Sequence, residues 1–205
     1  TRTSTARQHR RLIRQIMATP LFRPSIRRKD MDSVLTTLVE DRPGSDRLGT
    51  ELARAVKNRL AVSGAVALRE YQRAVFFALE IAGLETGSTV FLSPLLPSWY
   101  LDVCALKGIK TEIFDLTEAA FVPGREVSDK LSSQLPEEGS EAGAGPVVII
   151  ATSLGYIPDY YAFEQAGWTM IEDITEGFGG FLGERSVGGF GCCSVLATEQ
   201  EGVIT

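Results

Sequence analysis

Short apolar runs and longer amphipathic stretches take turns along most of this chain. The runs at 64–68, 89–92, 110–114, 147–151, 168–172 and 192–197 lack the apolar–polar alternation of a half-exposed strand. Unbroken apolar runs of this length suit strands covered on both faces, as in a parallel sheet. Between them, 71–83, 98–107, 126–135 and 158–166 place apolar residues at helical spacing and predict helices. Strands regularly separated by helices imply right-handed crossovers. The expected fold is therefore α/β, a three-layer, doubly wound, mainly parallel sheet.

The first part of the chain reads differently. Leu12, Ile13, Ile16 and Met17 predict a short helix over 5–17, which Pro20 and Pro24 end. A helix is expected over 30–40 with Val34, Leu35 and Leu38 inward. A turn follows at 42–46, where Ser45 or Asp46 could cap a helix running to Leu60. Pro136 to Gly145 reads as an acidic surface loop. Val203-Ile204-Thr205 reads as a strand under way, so we expect a further segment or another chain to complete the body.

Composition narrows the class. The chain is 44% hydrophobic and 23% charged, as in soluble globular proteins. No apolar run approaches the ~20 residues of a membrane span. The N-terminus has no signal-like apolar region, so a cytoplasmic protein is expected. The three cysteines, Cys104, Cys192 and Cys193, offer no disulfide framework. A bridge between the adjacent pair would be strained, and two reduced, buried thiols are expected there. With His9 as the one histidine and no CxxC pair, zinc is not expected. A hydrolase triad and a dinucleotide fingerprint also lack their residues.

Charge divides the chain into a basic arm, 1–29, and a body, 30–205. The arm holds nine of the 21 basic residues and no acid; all 26 acids lie beyond it. Such an arm can bind a polyanion or dock on an acidic face of its own body or of a partner subunit. The acidic body repels polyanions, so docking is preferred and nucleic acid is not an expected partner.

Ligands of doubly wound sheets sit beyond the carboxyl ends of the strands. The run Trp168 to Asp173 ends in two carboxylates. A carboxylate there can hold a protonated ring nitrogen; it can equally cap a helix. Its surroundings carry a resemblance. Met170-Ile-Glu-Asp-Ile-Thr-Glu-Gly-Phe-Gly179 resembles the Ile-Glu-Asp-Ala-Ala-Gln-Ala-x-Gly segment of the DegT-type sugar aminotransferases. Val187-Gly-Gly-Phe-Gly-Cys-Cys-Ser194 is similar to that family's Val-Gly-x-x-Gly-x-x-x-Phe-Ser. Gly83 to Val90 looks like its Gly-x-x-Pro-Gly-Asp-Glu-Val, and Leu154 to Asp159 like its Gly-x-x-x-Asp turn. The four segments occur in family order over roughly residues 45–205.

The resemblance implies the large domain of a fold-type-I aminotransferase, a homodimer, and pyridoxal phosphate held near the dimer seam. It puts Asp173 at the pyridinium nitrogen, Glu176 near the ring, Ser194 on the phosphate, and Trp99 or Tyr100 on the ring face. It also puts Glu199 where the Schiff-base lysine belongs. The lysines are Lys29, Lys57, Lys107, Lys110 and Lys130, none of them beyond Asp173. A carboxylate cannot form an imine. The family's phosphate cradle, Ser-Gly-Thr at a helix N-terminus, falls on Glu70-Tyr71-Gln72 without a gap, or on Ser63-Gly64-Ala65 with an insertion. The ungapped register is preferred. The expectation is thus a catalytically degenerate homologue that binds, scaffolds or regulates, without a cofactor and with a small-molecule or sugar ligand in its cleft. The alternative is a pyridoxal-phosphate-dependent nucleotide-sugar aminotransferase completed by a missing segment or another subunit.

Overall fold

A computed structural model of the chain describes residues 26–39, 46–117, 120–135 and 145–198. Two helices come first, α1 (Arg28–Val39) and α2 (Asp46–Leu60). Then follow α3 (Tyr71–Ile81), β1 (Thr89–Leu92), α4 (Trp99–Leu106), β2 (Lys110–Ile113), α5 (Arg125–Ser133), β3 (Val147–Ala151), α6 (Tyr160–Gln165) and β4 (Thr169–Asp173). A small hairpin, β5 (Phe181–Leu182) and β6 (Arg185–Ser186), leads to β7 (Cys193–Val195). The sheet order is β2-β1-β3-β4-β7, with every pairing parallel. This is the expected α/β architecture.

Three layers follow from the pleat, which sends successive side chains to opposite faces. Val90, Leu92, Ile149 and Ile171 point to one side and meet Val75, Leu79, Val103 and Cys104 of α3 and α4. Phe91, Val148, Ile150 and Met170 point to the other and meet Val127, Leu131 and Phe163 of α5 and α6. All five residues of β3 are buried, because both its neighbours and both helical layers cover it. Burying one such side chain is worth about 1.5–3 kcal/mol, so the apolar runs stabilise the sheet in proportion to their lack of alternation. At α6, Asp159 accepts the Ala162 N–H at 3.2 Å and fixes where the helix begins.

Some expectations need correction. The run 64–68 forms no strand: no described strand lies beside it to ladder with, and Val66 stands 81% exposed. Val34, Leu35 and Leu38 are 59%, 57% and 65% exposed rather than inward, since no described element packs against that stripe of α1. Cys192 is exposed and Cys193 only partly covered, because β7 ends the described sheet. Residue 29, the end of the basic arm, lies within α1, and residues 1–25 of that arm lie outside the described residues, so the division into arm and body stays an expectation. The helix expected over 5–17, most of the 42–46 turn, residues 136–144 of the acidic loop, and 199–205 with Glu199 lie outside the described residues. No described helix is long and apolar enough to cross a membrane.

Candidate functional site

The carboxyl end of β4 carries two buried acids that do different work. The Glu172 side chain has no exposure. It accepts the main-chain N–H groups of Gly188, at 2.7 Å, Phe190, at 2.7 Å, and Gly191, at 2.6 Å. Burial pushes its carboxyl above the usual range, and those three donors pull the other way. Glu172 is thus the anchor that ties the 187–191 loop to the sheet, which gives it a structural role.

Asp173, 4% exposed, faces the helical layer of α3 and α4. Its Oδ2 accepts hydrogen bonds from two phenols, the Tyr71 hydroxyl and the Tyr100 hydroxyl, the latter at 2.7 Å. Its Oδ1 accepts the Thr175 N–H at 3.1 Å, the short turn that Asp side chains favour. Burial, then the neighbouring Asp173 carboxylate, pushes both phenols well above the ordinary tyrosine value, so both remain donors. The Thr175 hydroxyl lies 3.1 Å from the Tyr71 hydroxyl and accepts the Ala197 N–H at 3.1 Å.

The rings above this carboxylate pack on one another. Trp99 and Tyr100 open α4 and stack with centroids 4.5 Å apart and planes 17° apart. Tyr71, the first residue of α3, stands edge-on to Trp99 at 4.5 Å and to Tyr100 at 6.2 Å. The three rings and Asp173 therefore form one hydrogen-bonded, close-packed cluster. Glu70 sits at the N-cap of α3 without capping it. This is the helix start that the ungapped register selects, and Ser63-Gly64 lie in the irregular segment before it.

The remaining expected residues lie around this cluster. Glu176 accepts the Leu154 N–H, holding a non-glycine residue at φ 54°. Such a conformation costs of order 1–3 kcal/mol and persists only where its surroundings hold it. Ser194 pairs in register with Glu172, one strand over from Asp173. Trp99 reaches Asp173 only through Tyr71 and Tyr100. Gly177 passes so near Thr152 that a Cβ would stand 2.5 Å from its side chain. Thr152 in turn donates to the Asp173 main-chain carbonyl at 3.1 Å. Sequence reasoning missed Tyr71 as a partner of Asp173. The signal was present in the ungapped register, which set an aromatic residue where the family has glycine. Among the described residues no cluster of His, Cys, Asp or Glu is arranged to hold a metal ion.

Architecture alone defines the class: a mainly parallel sheet with helices on both faces, matching the large domain of fold-type-I aminotransferases. Among solved structures, the aminotransferase from Psychrobacter cryohalolentis superimposes with a TM-score of 0.75 at 17% identity. That match covers 90% of this chain and 46% of the other. PseC from Helicobacter pylori, an aminotransferase of pseudaminic acid biosynthesis, gives 0.72 at 14% identity, covering 91% and 49%. A GDP-4-keto-6-deoxymannose-3-dehydratase (ColD) variant with bound GDP-perosamine gives 0.77 at 12% identity, covering 92% and 49%. The chain spans about half the length of these structures. No protein-family model matches it, and no curated protein does.

Proposed function

We propose that this chain is a non-catalytic relative of the sugar aminotransferases, in which the place of the cofactor ring is taken by Tyr71. The single observation that carries this reading is the Asp173 carboxylate. The oxygen that would face a pyridinium nitrogen already accepts both the Tyr71 and the Tyr100 hydroxyls. A pyridine ring on Trp99 would need the volume that the Tyr71 ring fills at 4.5 Å. Glu70 at the start of α3 would oppose a phosphate. No lysine follows Lys130 in the sequence. The residues present therefore do not fit pyridoxal phosphate. In this reading the domain binds, scaffolds or regulates. It acts as a homodimer in the cytoplasm, with any ligand a small uncharged or sugar-like molecule at the cleft rim.

A second reading is favoured by the fold match and by its half-length coverage of the matched structures. It is a nucleotide-sugar aminotransferase completed by a further segment or subunit. That reading requires Tyr71 to leave Asp173. Tryptophan fluorescence distinguishes the two. The chain has two tryptophans, and Trp99 lies at the cluster. Titration with pyridoxal phosphate should give no saturable quenching in the wild type or in a Trp168→Phe variant. Quenching that saturates at micromolar concentration, and is lost in Asp173→Ala, would establish the second reading.

A further inference from the structure

On the face of the sheet opposite the Asp173 cluster, a cleft of about 250 Å³ opens between the edge strand β2 and helix α5. Its floor is apolar. Phe91, Phe114, Val127 and Leu131 are each more than nine-tenths buried and belong to one packed layer. Its walls are polar and carry both signs of charge. Glu112 and Asp115 line the strand side, and Lys130 and Gln134 line the helix side.

Register and helical spacing set this arrangement. Glu112 pairs with Phe91, and Ile113 with Leu92. Paired residues share a face of a sheet, so Glu112 projects to the α5 side with Phe91. On α5, Val127, Lys130, Leu131 and the C-cap residue Gln134 recur at helical spacing and share one face. Val127 and Leu131 turn into the packed layer, which leaves Lys130 and Gln134 exposed at its margin. β2 ends the described sheet, so no described strand closes the cleft from outside. The Asp115 Oδ1 accepts the Leu116 N–H at 2.9 Å. Among the described residues, no ion pair engages Glu112, Asp115 or Lys130, although opposite charges line one cleft.

We propose that this cleft binds a free amino acid with an apolar side chain. The ligand's ammonium donates to the carboxylates of Glu112 and Asp115. Its carboxylate accepts from the Lys130 ammonium and the Gln134 side-chain amide. Its apolar side chain lies over the floor. A ligand of both signs answers walls of both signs. A simple anion would meet two carboxylates, and a simple cation would leave Lys130 without a partner. Selection between such ligands rests on these differences rather than on any one strong contact, since each exposed charge pair is worth little by itself. The cleft is also smaller than the roughly 300–1,000 Å³ of sites for drug-sized ligands, which suits a ligand of this size. The cleft lies across the sheet from Asp173, so the site does not depend on what fills the Asp173 cluster.

The test is equilibrium dialysis of the full chain with L-leucine as the probe. Saturable uptake of one leucine per chain is expected, in the millimolar range or tighter. Isocaproate lacks the ammonium and isoamylamine lacks the carboxylate. Each should bind roughly ten-fold more weakly than leucine, the loss of one charge-assisted contact. Glycine, which has nothing to lay on the floor, should also bind roughly ten-fold more weakly. Glu112→Gln and Lys130→Met, both at exposed positions, should each weaken leucine binding by a similar factor. No saturable leucine uptake would overturn the proposal. So would equal affinity for leucine and isoamylamine, or unchanged leucine affinity in both variants. The wild-type probe series decides the matter even if a variant folds poorly.

Discussion

At the scale of single residues, one oxygen of Asp173 serves two phenols. Hydrogen bonds to a buried charged group contribute about 1.5–3 kcal/mol each. Tyr100→Phe removes the 2.7 Å contact without opening a cavity and should lower the unfolding free energy by that amount in a urea titration. Tyr71→Phe should cost a similar amount. Because both donors meet the same Oδ2, loss of one strengthens the other. The double variant should therefore cost more than the two single losses combined, since neither remaining bond is left to compensate. Strict additivity would mean that the hydroxyls act independently, contrary to the geometry. Asp173 itself was legible in the sequence as a carboxylate at a strand end. Tyr71 was placed at the helix start by the ungapped register but not read as a partner of Asp173, because the two lie 102 residues apart and the register does not show what the ring touches. Glu172 was read only as the neighbour of Asp173; its N–H partners come from a loop whose path no periodicity reveals.

At the scale of elements, what the sequence revealed depends on how each element is stabilised. The runs 89–92 and 147–151 are observed with the expected bounds, and those at 110–114 and 168–172 differ by one residue. Each has a ladder partner and helical cover, so composition and context agree. The helix over Tyr71–Ile81 begins where the apolar stripe begins. The run 64–68 has the same composition as a strand, but no described neighbour offers it a ladder, and a strand's hydrogen bonds cannot be made alone. The stripe Val34, Leu35 and Leu38 on α1 repeats at helical spacing, which correctly gives a helix. Periodicity says which face is apolar, however, and not what covers it. The starts of α3 and α4 matter most, because they aim Tyr71, Trp99 and Tyr100 at the end of β4.

At the scale of the whole molecule, the uncovered stripe of α1 and the exposed Leu48 and Leu52 of α2 motivate the proposed homodimer. Sedimentation should show a dimer at micromolar concentration, and Leu35→Lys with Leu38→Lys should shift it toward monomer. A wild-type chain that sediments only as monomer would remove that proposal. Absorption reads out whether the Asp173 cluster is, as proposed, complete without a cofactor. The full chain is incubated with pyridoxal phosphate, desalted, and scanned, then reduced with borohydride and mapped by mass. A colourless protein is expected, with no cofactor mass on any peptide beyond residue 130. A yellow protein carrying one stoichiometric adduct in that region would contradict it.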